Sequence, residues 1–120
     1  MNETLQHQLN HRSIRKFKDT PLTDEQLDLI LSAASQTPTY TFLQAASIIG
    51  VTDKAKQKRL AEICKQSYVA EAGYLFVIVC DMNRNARIAA AQNIPADGMG
   101  RAERFFPTFY DATLMTMNMV

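Results

Sequence analysis

The sequence is poor in the residues that build metal and nucleophile sites. Among 120 residues there are two cysteines, Cys64 and Cys80, and two histidines, His7 and His11. No Cys-x-x-Cys pair and no Cys/His cluster occurs, which argues against a structural zinc. With only two widely separated thiols, a reduced protein is the simpler reading than a disulfide scaffold. Neither histidine stands at a spacing that suits a metal ligand or the base of a nucleophile. Charge of one sign is lacking too. A formal net charge of +1 is far from the basic excess by which nucleic-acid binders are recognised. The longest apolar run, Leu75 to Cys80, falls well short of the ~20 residues that span a bilayer. The segment from Met1 to His7 lacks the basic-then-apolar layout of a signal peptide. The expectation is a soluble, cytoplasmic protein. Glycine is scarce as well: Gly98 and Gly100 form only a Gly-x-Gly with no strand before it, too little for a phosphate-cradling loop.

What remains is ordinary globular material, 47% apolar and 21% charged, in a length that fits one domain. Residues 2–10 read as a short helix with Leu5 and Leu9 four apart. Thr23-Asp24-Glu25-Gln26 has the form of a capping box. The helix it opens sets Leu27, Ile30, Leu31 and Ala34 on one stripe and ends before Pro38. Thr37 to Thr41 is then a polar loop. Residues 46–51 form a short β-rich run. A helix over about 54–65 turns Lys54, Lys56, Lys58 and Arg59 outward and Leu60, Ile63 and Cys64 inward. Residues 74–80 are apolar throughout, which predicts a strand covered on both faces and central in its sheet. Residues 81–93 hold a loop and a further helix, and 94–100 a loop.

From Tyr110 onward, Tyr110, Leu114 and Met117 form one apolar stripe and Ala112, Met115 and Met119 a second. Such a helix is buried on two sides. With no capping signal at its end, it points to a chain cut short or to a partner that covers the helix. The order helix, helix, strand, helix, strand, helix, helix indicates an α+β or mixed α/β domain.

The chemistry is concentrated in His11-Arg12-Ser13-Ile14-Arg15. Arginine donates two parallel hydrogen bonds to a phosphate, and a hydroxyl or amide serves the remaining oxygens. Ile14 and Phe17 can pin the segment to the core, leaving Arg12, Ser13 and Arg15 to converge on a dianion. From spacing alone, an exposed basic turn preceding a helix is the more available reading.

The run from His11 through Lys16 to Phe17, following a short helix, resembles the opening signature of the nitroreductase family. Pro21 to Gln26, Phe42 to Ile49, Val51 to Lys54, Gln66 to Val69, Phe76 to Asp81 with Asn83 and Arg84, and Asp111 to Asn118 follow in the family's order. The resemblance spans essentially the whole chain and is closest to the A-type, NADPH-preferring flavin reductase branch. It implies a nitroreductase-like α+β fold with a mixed or antiparallel central sheet flanked by helices, of which residues 1–120 would be the N-terminal part. The activity it implies is FMN-dependent NAD(P)H oxidation, with ping-pong hydride transfer through flavin N5 to nitroaromatics, quinones or free flavins. It also implies a homodimer with FMN at the subunit interface. Carried over residue by residue, Arg12, Ser13 and Arg15 would bind the FMN phosphate and His11 would lie beside the ribityl chain. Gln66, Ser67 and Tyr68 would lie near the flavin, and Thr39 on the loop that approaches it from a second subunit. No catalytic acid, base or metal is implied.

Two features depart from the family pattern. The loop that is usually serine-rich reads Thr37-Pro38-Thr39-Tyr40-Thr41, and the commonly glycine-rich segment before Gln66 is Cys64-Lys65. The alternative to an enzyme is a non-catalytic, truncated fragment that dimerises and binds FMN weakly or not at all.

Overall fold

Among the described residues, two strands and five helices come in the expected order. The computed structural model describes residues 2–120. The elements are α1 (Glu3–Leu9), α2 (Asp24–Ser35), β1 (Ala46–Val51), α3 (Lys54–Cys64), a 3-10 turn (Ser67–Glu71), β2 (Leu75–Cys80), α4 (Asn83–Ala91) and α5 (Ala102–Met119). They fall into two compact units. The first is the chain up to Pro21 together with Thr52–Leu75; the second is Leu22–Val51 with Phe76–Val120.

In the first unit, Asn2 caps α1, its side chain accepting from the Leu5 N–H at 2.9 Å. Asp53 caps α3 by accepting from the Ala55 and Lys56 amides. Each cap satisfies donors that the first helical turn leaves without a partner. The other end of α3 packs on the 3-10 turn. Its buried side chains are Gln57 and Ala61, which corrects the inward face expected from hydrophobicity. Ile63 and Cys64 are exposed and Leu60 is half-buried.

In the second unit the capping box of α2 is present in both directions, Thr23 Oγ1 to the Gln26 amide and Gln26 Oε1 to the Thr23 amide. α5 packs on α2 and on β1. β1 and β2 form a two-stranded sheet. The Asp81 N–H, just past the end of β2, donates to the Ala45 carbonyl just before β1 at 2.7 Å, so the strands run antiparallel.

β2 is therefore not a central strand among the described residues. It has one neighbour, and its residues are half-buried with Val79 exposed. Its continuous apolar run marks surface that no other described strand covers. α5 also differs from expectation, because it begins eight residues before Tyr110, at Ala102, and carries Pro107 inside it. Proline lacks the N–H that would bond one turn back and crowds that carbonyl, which hides the helix from a reading by propensity. Of its two stripes, Ala112 is buried and Met115 and Met119 half-buried, while Tyr110, Leu114 and Met117 are exposed.

Among the described residues, every buried apolar residue is an alanine: Ala34, Ala45, Ala61, Ala72, Ala89 and Ala112. Alanine at these points lets backbones approach closely but contributes little transfer energy, since burial scales with apolar area. The large side chains that would contribute more remain in part accessible. No helix among the described residues is long and apolar enough to cross a membrane.

Candidate functional site

Seven of the eight sequence-derived candidates, His11, Arg12, Ser13, Arg15, Gln66, Ser67 and Tyr68, lie in the first unit, and Thr39 lies in the second. Residues 11–18 have no regular hydrogen-bonded structure, so the segment must be held by side chains and by close backbone approach. Ile14 does not hold it, being 62% exposed, which corrects the pinning role expected of it. Phe17 does: its ring lies 6.2 Å from that of Tyr68, centroid to centroid, tilted by 46°. Asp19 pairs with Lys54 at 2.7 Å, and the same ammonium donates to the Ala72 carbonyl at 3.0 Å. The backbone of Thr20 lies against Gly73 so closely that a Cβ there would sit 2.0 Å from the Thr20 carbonyl oxygen.

Magnitudes rank these three ties. The Asp19–Lys54 pair is largely exposed, and such pairs contribute about 0–1 kcal/mol. An aromatic pair adds about 0.5–1.5 kcal/mol beyond its area. The backbone contact at Gly73 admits no substitute side chain, so it and the aromatic pair fix the segment.

With the segment so held, Arg12, Ser13 and Arg15 are all exposed. Among the described residues the two guanidinium groups form no ion pair and the Ser13 hydroxyl no hydrogen bond; the ion pairs are Lys54–Asp19, Arg59–Glu62 and Arg101–Glu103. A phosphate monoester carries about two negative charges and asks for several uncommitted donors. This segment supplies them, so the residues fit such a group.

Gln66 is placed by the end of α3. Lys65 adopts the left-handed conformation, φ 55° and ψ 40°. Its N–H donates to the Glu62 carbonyl and that of Gln66 to the Ala61 carbonyl, the paired bonds of a Schellman turn. Glycine is the residue favoured at that position, because a Cβ there costs roughly 1 kcal/mol or more. Lys65→Gly is accordingly expected to raise unfolding stability by about 0.5–1 kcal/mol, read by urea denaturation. Gln66 and Ser67 line an open pocket of about 490 Å³ together with Lys58, Ala61, Glu62, Lys65 and Ala70. Lys58 is a charged residue of this pocket that sequence reasoning did not connect with the site. The left-handed Lys65 was foreshadowed only by the missing glycine.

In the second unit the loop from Thr37 leads into a strained stretch, with Phe42 at φ 53° and Gln44 at φ 50°. It is anchored from α4: the Arg84 guanidinium donates to the Gln44 carbonyl, and Asn85 Nδ2 to the Leu43 carbonyl at 2.9 Å. Nothing in the sequence announced these left-handed residues.

Asp81, between β2 and α4, accepts from the Ser47 hydroxyl at 2.7 Å and from the Asn83 amide at 2.9 Å. These bonds, the Ser47 one foremost, hold its carboxyl below the ordinary value of 3.8, with Arg84 adding a smaller attraction. A carboxyl depressed in the folded state contributes stability that is present above its unfolded pKa and is lost as pH falls through the folded one. Ser47→Ala should therefore destabilise at pH 7 and lose that effect at an acid pH below the depressed folded-state value of Asp81. Urea titrations of both proteins at the two pH values check this.

Residues 9–119 match the Nitroreductase family. The chain is 36% identical to the FMN reductase (NADPH) of Bacillus subtilis over 121 residues, covering 99% of this chain and 49% of that protein. It is 36% identical to the oxygen-insensitive NADPH nitroreductase of Salmonella typhimurium, covering 98% of this chain and 48% of that one. Among solved structures, NfrA1 of B. megaterium superimposes with a TM-score of 0.94 at 36% identity, over 98% of this chain and 49% of its own. The chain thus spans about half the length of the curated relatives it matches.

Proposed function

The chain belongs to the nitroreductase family, and from that premise we propose that it holds FMN for an NAD(P)H oxidoreductase acting on nitroaromatics, quinones or free flavins. The observation that carries the reading is the pair of uncommitted guanidinium groups, Arg12 and Arg15, flanking Ser13 on a segment pinned through Phe17 to Tyr68. Two relatives of matching sequence are an NADPH-dependent FMN reductase and an NADPH nitroreductase, and both names support the same chemistry.

In this reading Arg12 and Arg15 donate to the phosphate oxygens of FMN and Ser13 contributes its hydroxyl or amide. His11 lies beside the ribityl chain. Gln66, Ser67 and Tyr68, set in place by the Schellman turn and the Phe17 ring, lie along the flavin. Thr39, on the loop of a second copy of the chain, offers its hydroxyl from the other side. The chemistry that FMN supplies when bound is hydride transfer between the nicotinamide donor and the acceptor. The protein binds and orients, and no acid or base of its own is required.

A homodimer is part of the proposal. The exposed side of α5 carries Phe105, Phe106, Phe109 and Tyr110 as a run of ring contacts, with Phe105 stacked on Phe109 at 6.0 Å. A run of exposed rings like this supports an interface rather than a solvated face. The second reading, a fragment that dimerises without catalysis, is favoured by the alanine-only core.

Steady-state NADPH oxidation with a quinone, a nitroaromatic and free FMN as acceptors separates the two readings. Parallel double-reciprocal lines support the oxidoreductase. Absence of turnover in dimeric protein that does not retain FMN supports the fragment.

A further inference from the structure

The longest-range polar ties in the second unit converge on the Thr37–Tyr40 loop. Asp111 is only 4% exposed, an unusual position for a carboxylate, which is rarely buried without a partner. Its Oδ1 accepts from the Tyr40 backbone N–H at 2.9 Å, across 71 residues of sequence. Two helical turns further along α5, on the same face, Asn118 Nδ2 donates to the buried Thr37 hydroxyl at 3.0 Å and to the Ala33 carbonyl at 3.4 Å. Pro38 fixes its own φ and biases Thr37 toward extended backbone. The loop is thus held on both sides of Thr39, by Asn118 at Thr37 and by Asp111 at Tyr40. Thr39 itself is half-buried, and among the described residues its hydroxyl has no hydrogen-bond partner. The backbone is committed and the hydroxyl is left to a ligand.

We infer that Asp111 and Asn118 are positioning residues that act through the Thr37–Tyr40 loop to set where the Thr39 hydroxyl stands over the flavin, on the side where the acceptor binds. This rests on the flavin-site reading given for Thr39 and adds to it the device that fixes the loop. A helix that only needed to pack would place an apolar side chain at the buried position of Asp111, and the more exposed Asn118 reaches back to the buried Thr37. An aspartate and an asparagine two turns apart, each aimed at the loop, specify its register instead.

The test uses the FMN-loaded enzyme and four variants: Asp111→Ala, Asp111→Asn, Asn118→Ala and Thr39→Ala. Asparagine keeps an acceptor oxygen for the Tyr40 amide, whereas alanine removes it. The two alanine variants on α5 are expected to raise acceptor KM by roughly five- to tenfold, the loss of one hydrogen bond, with FMN content unchanged. Asp111→Asn should stay within about twofold of wild type by the same measure. Adding Thr39→Ala to Asn118→Ala should add little, because residues acting as one unit are non-additive. Amide exchange of the peptide over residues 37–41 should accelerate about tenfold in the alanine variants while that of β2 is unchanged.

A purely structural role would lower stability without moving KM in the folded enzyme. Unchanged exchange over 37–41 would overturn the inference, as would faster exchange with KM unchanged, or full additivity with Thr39→Ala. Loss of FMN from the wild-type protein would count against the flavin reading instead, and the exchange measurement would still decide whether Asp111 and Asn118 hold the loop.

Discussion

Replacing Arg12 and Arg15 together by alanine is expected to weaken FMN binding by up to about 10³-fold. Each arginine is exposed and makes no ion pair among the described residues, so neither has a structural partner to lose. A charge-assisted hydrogen bond to an anion contributes about 2 kcal/mol, roughly a thirtyfold change in affinity for each side chain. The two would act on one phosphate, so the double loss should approach the product without exceeding it. Riboflavin, which has no phosphate, is the internal control: the substitutions should leave its binding almost unchanged. Fluorescence titration of FMN and riboflavin into wild type and variants reads both. Equal FMN curves would remove the phosphate assignment, and equal losses for FMN and riboflavin would mean that the segment had moved rather than lost its donors. Unfolding stability should not change beyond about 0.5 kcal/mol, as for surface substitutions generally.

Gly73→Ala is expected to be the most damaging single methyl group in the first unit. Its Cβ would lie 2.0 Å from the Thr20 carbonyl oxygen, 2.6 Å from the carbonyl carbon and 3.0 Å from the nitrogen. All three are backbone atoms, so no rotamer change can relieve the overlap. Overpacking costs about 1–3 kcal/mol where side chains can yield, and a loss of about 3 kcal/mol or more is expected here. Thr20 adjoins Asp19, and the strain would pass back along the chain toward Phe17. FMN affinity should therefore fall together with stability, unlike the arginine variants. Gly98→Ala and Gly100→Ala, with nothing within 4 Å of the added atom, should stay within about 0.5 kcal/mol of wild type. Urea denaturation of the three variants checks the ranking. A Gly73→Ala protein as stable as Gly98→Ala would show that the Thr20 backbone does not lie against Gly73.

What was legible in the sequence is local in origin. The capping box at Thr23, the stop before Pro38 and the β-branched run of β1 each follow from residues within a few positions of one another, and the observed bounds agree. Errors arose where the outcome depended on residues far away. β2 is apolar in every residue, as a covered strand would be, yet its only strand neighbour among the described residues is β1. Hydrophobicity reports that a surface is to be covered and does not say by what. α3 buries Gln57 and Ala61 while Ile63 is exposed, so burial along this helix follows position in the fold rather than hydrophobicity. Pro107 concealed the first turns of α5.

The site divides in the same way. The anion-binding segment could be read from its own arginines and serine. Its fixing points at Tyr68, Lys54 and Gly73 lie 35 or more positions away in the chain and carry no local signal. Asp111 was legible as part of a family segment, but its bond to Tyr40 could be seen only in three dimensions.

Whether residues 11–15 and 66–68 hold FMN is read most directly from the visible absorption spectrum of the purified chain after incubation with FMN and desalting, with its mass by light scattering. The absorption band of oxidised flavin is expected to stay with protein of dimeric mass and to be lost in the Arg12→Ala, Arg15→Ala double variant. Colourless protein of the same mass, or a band retained equally by the double variant, would contradict the assignment.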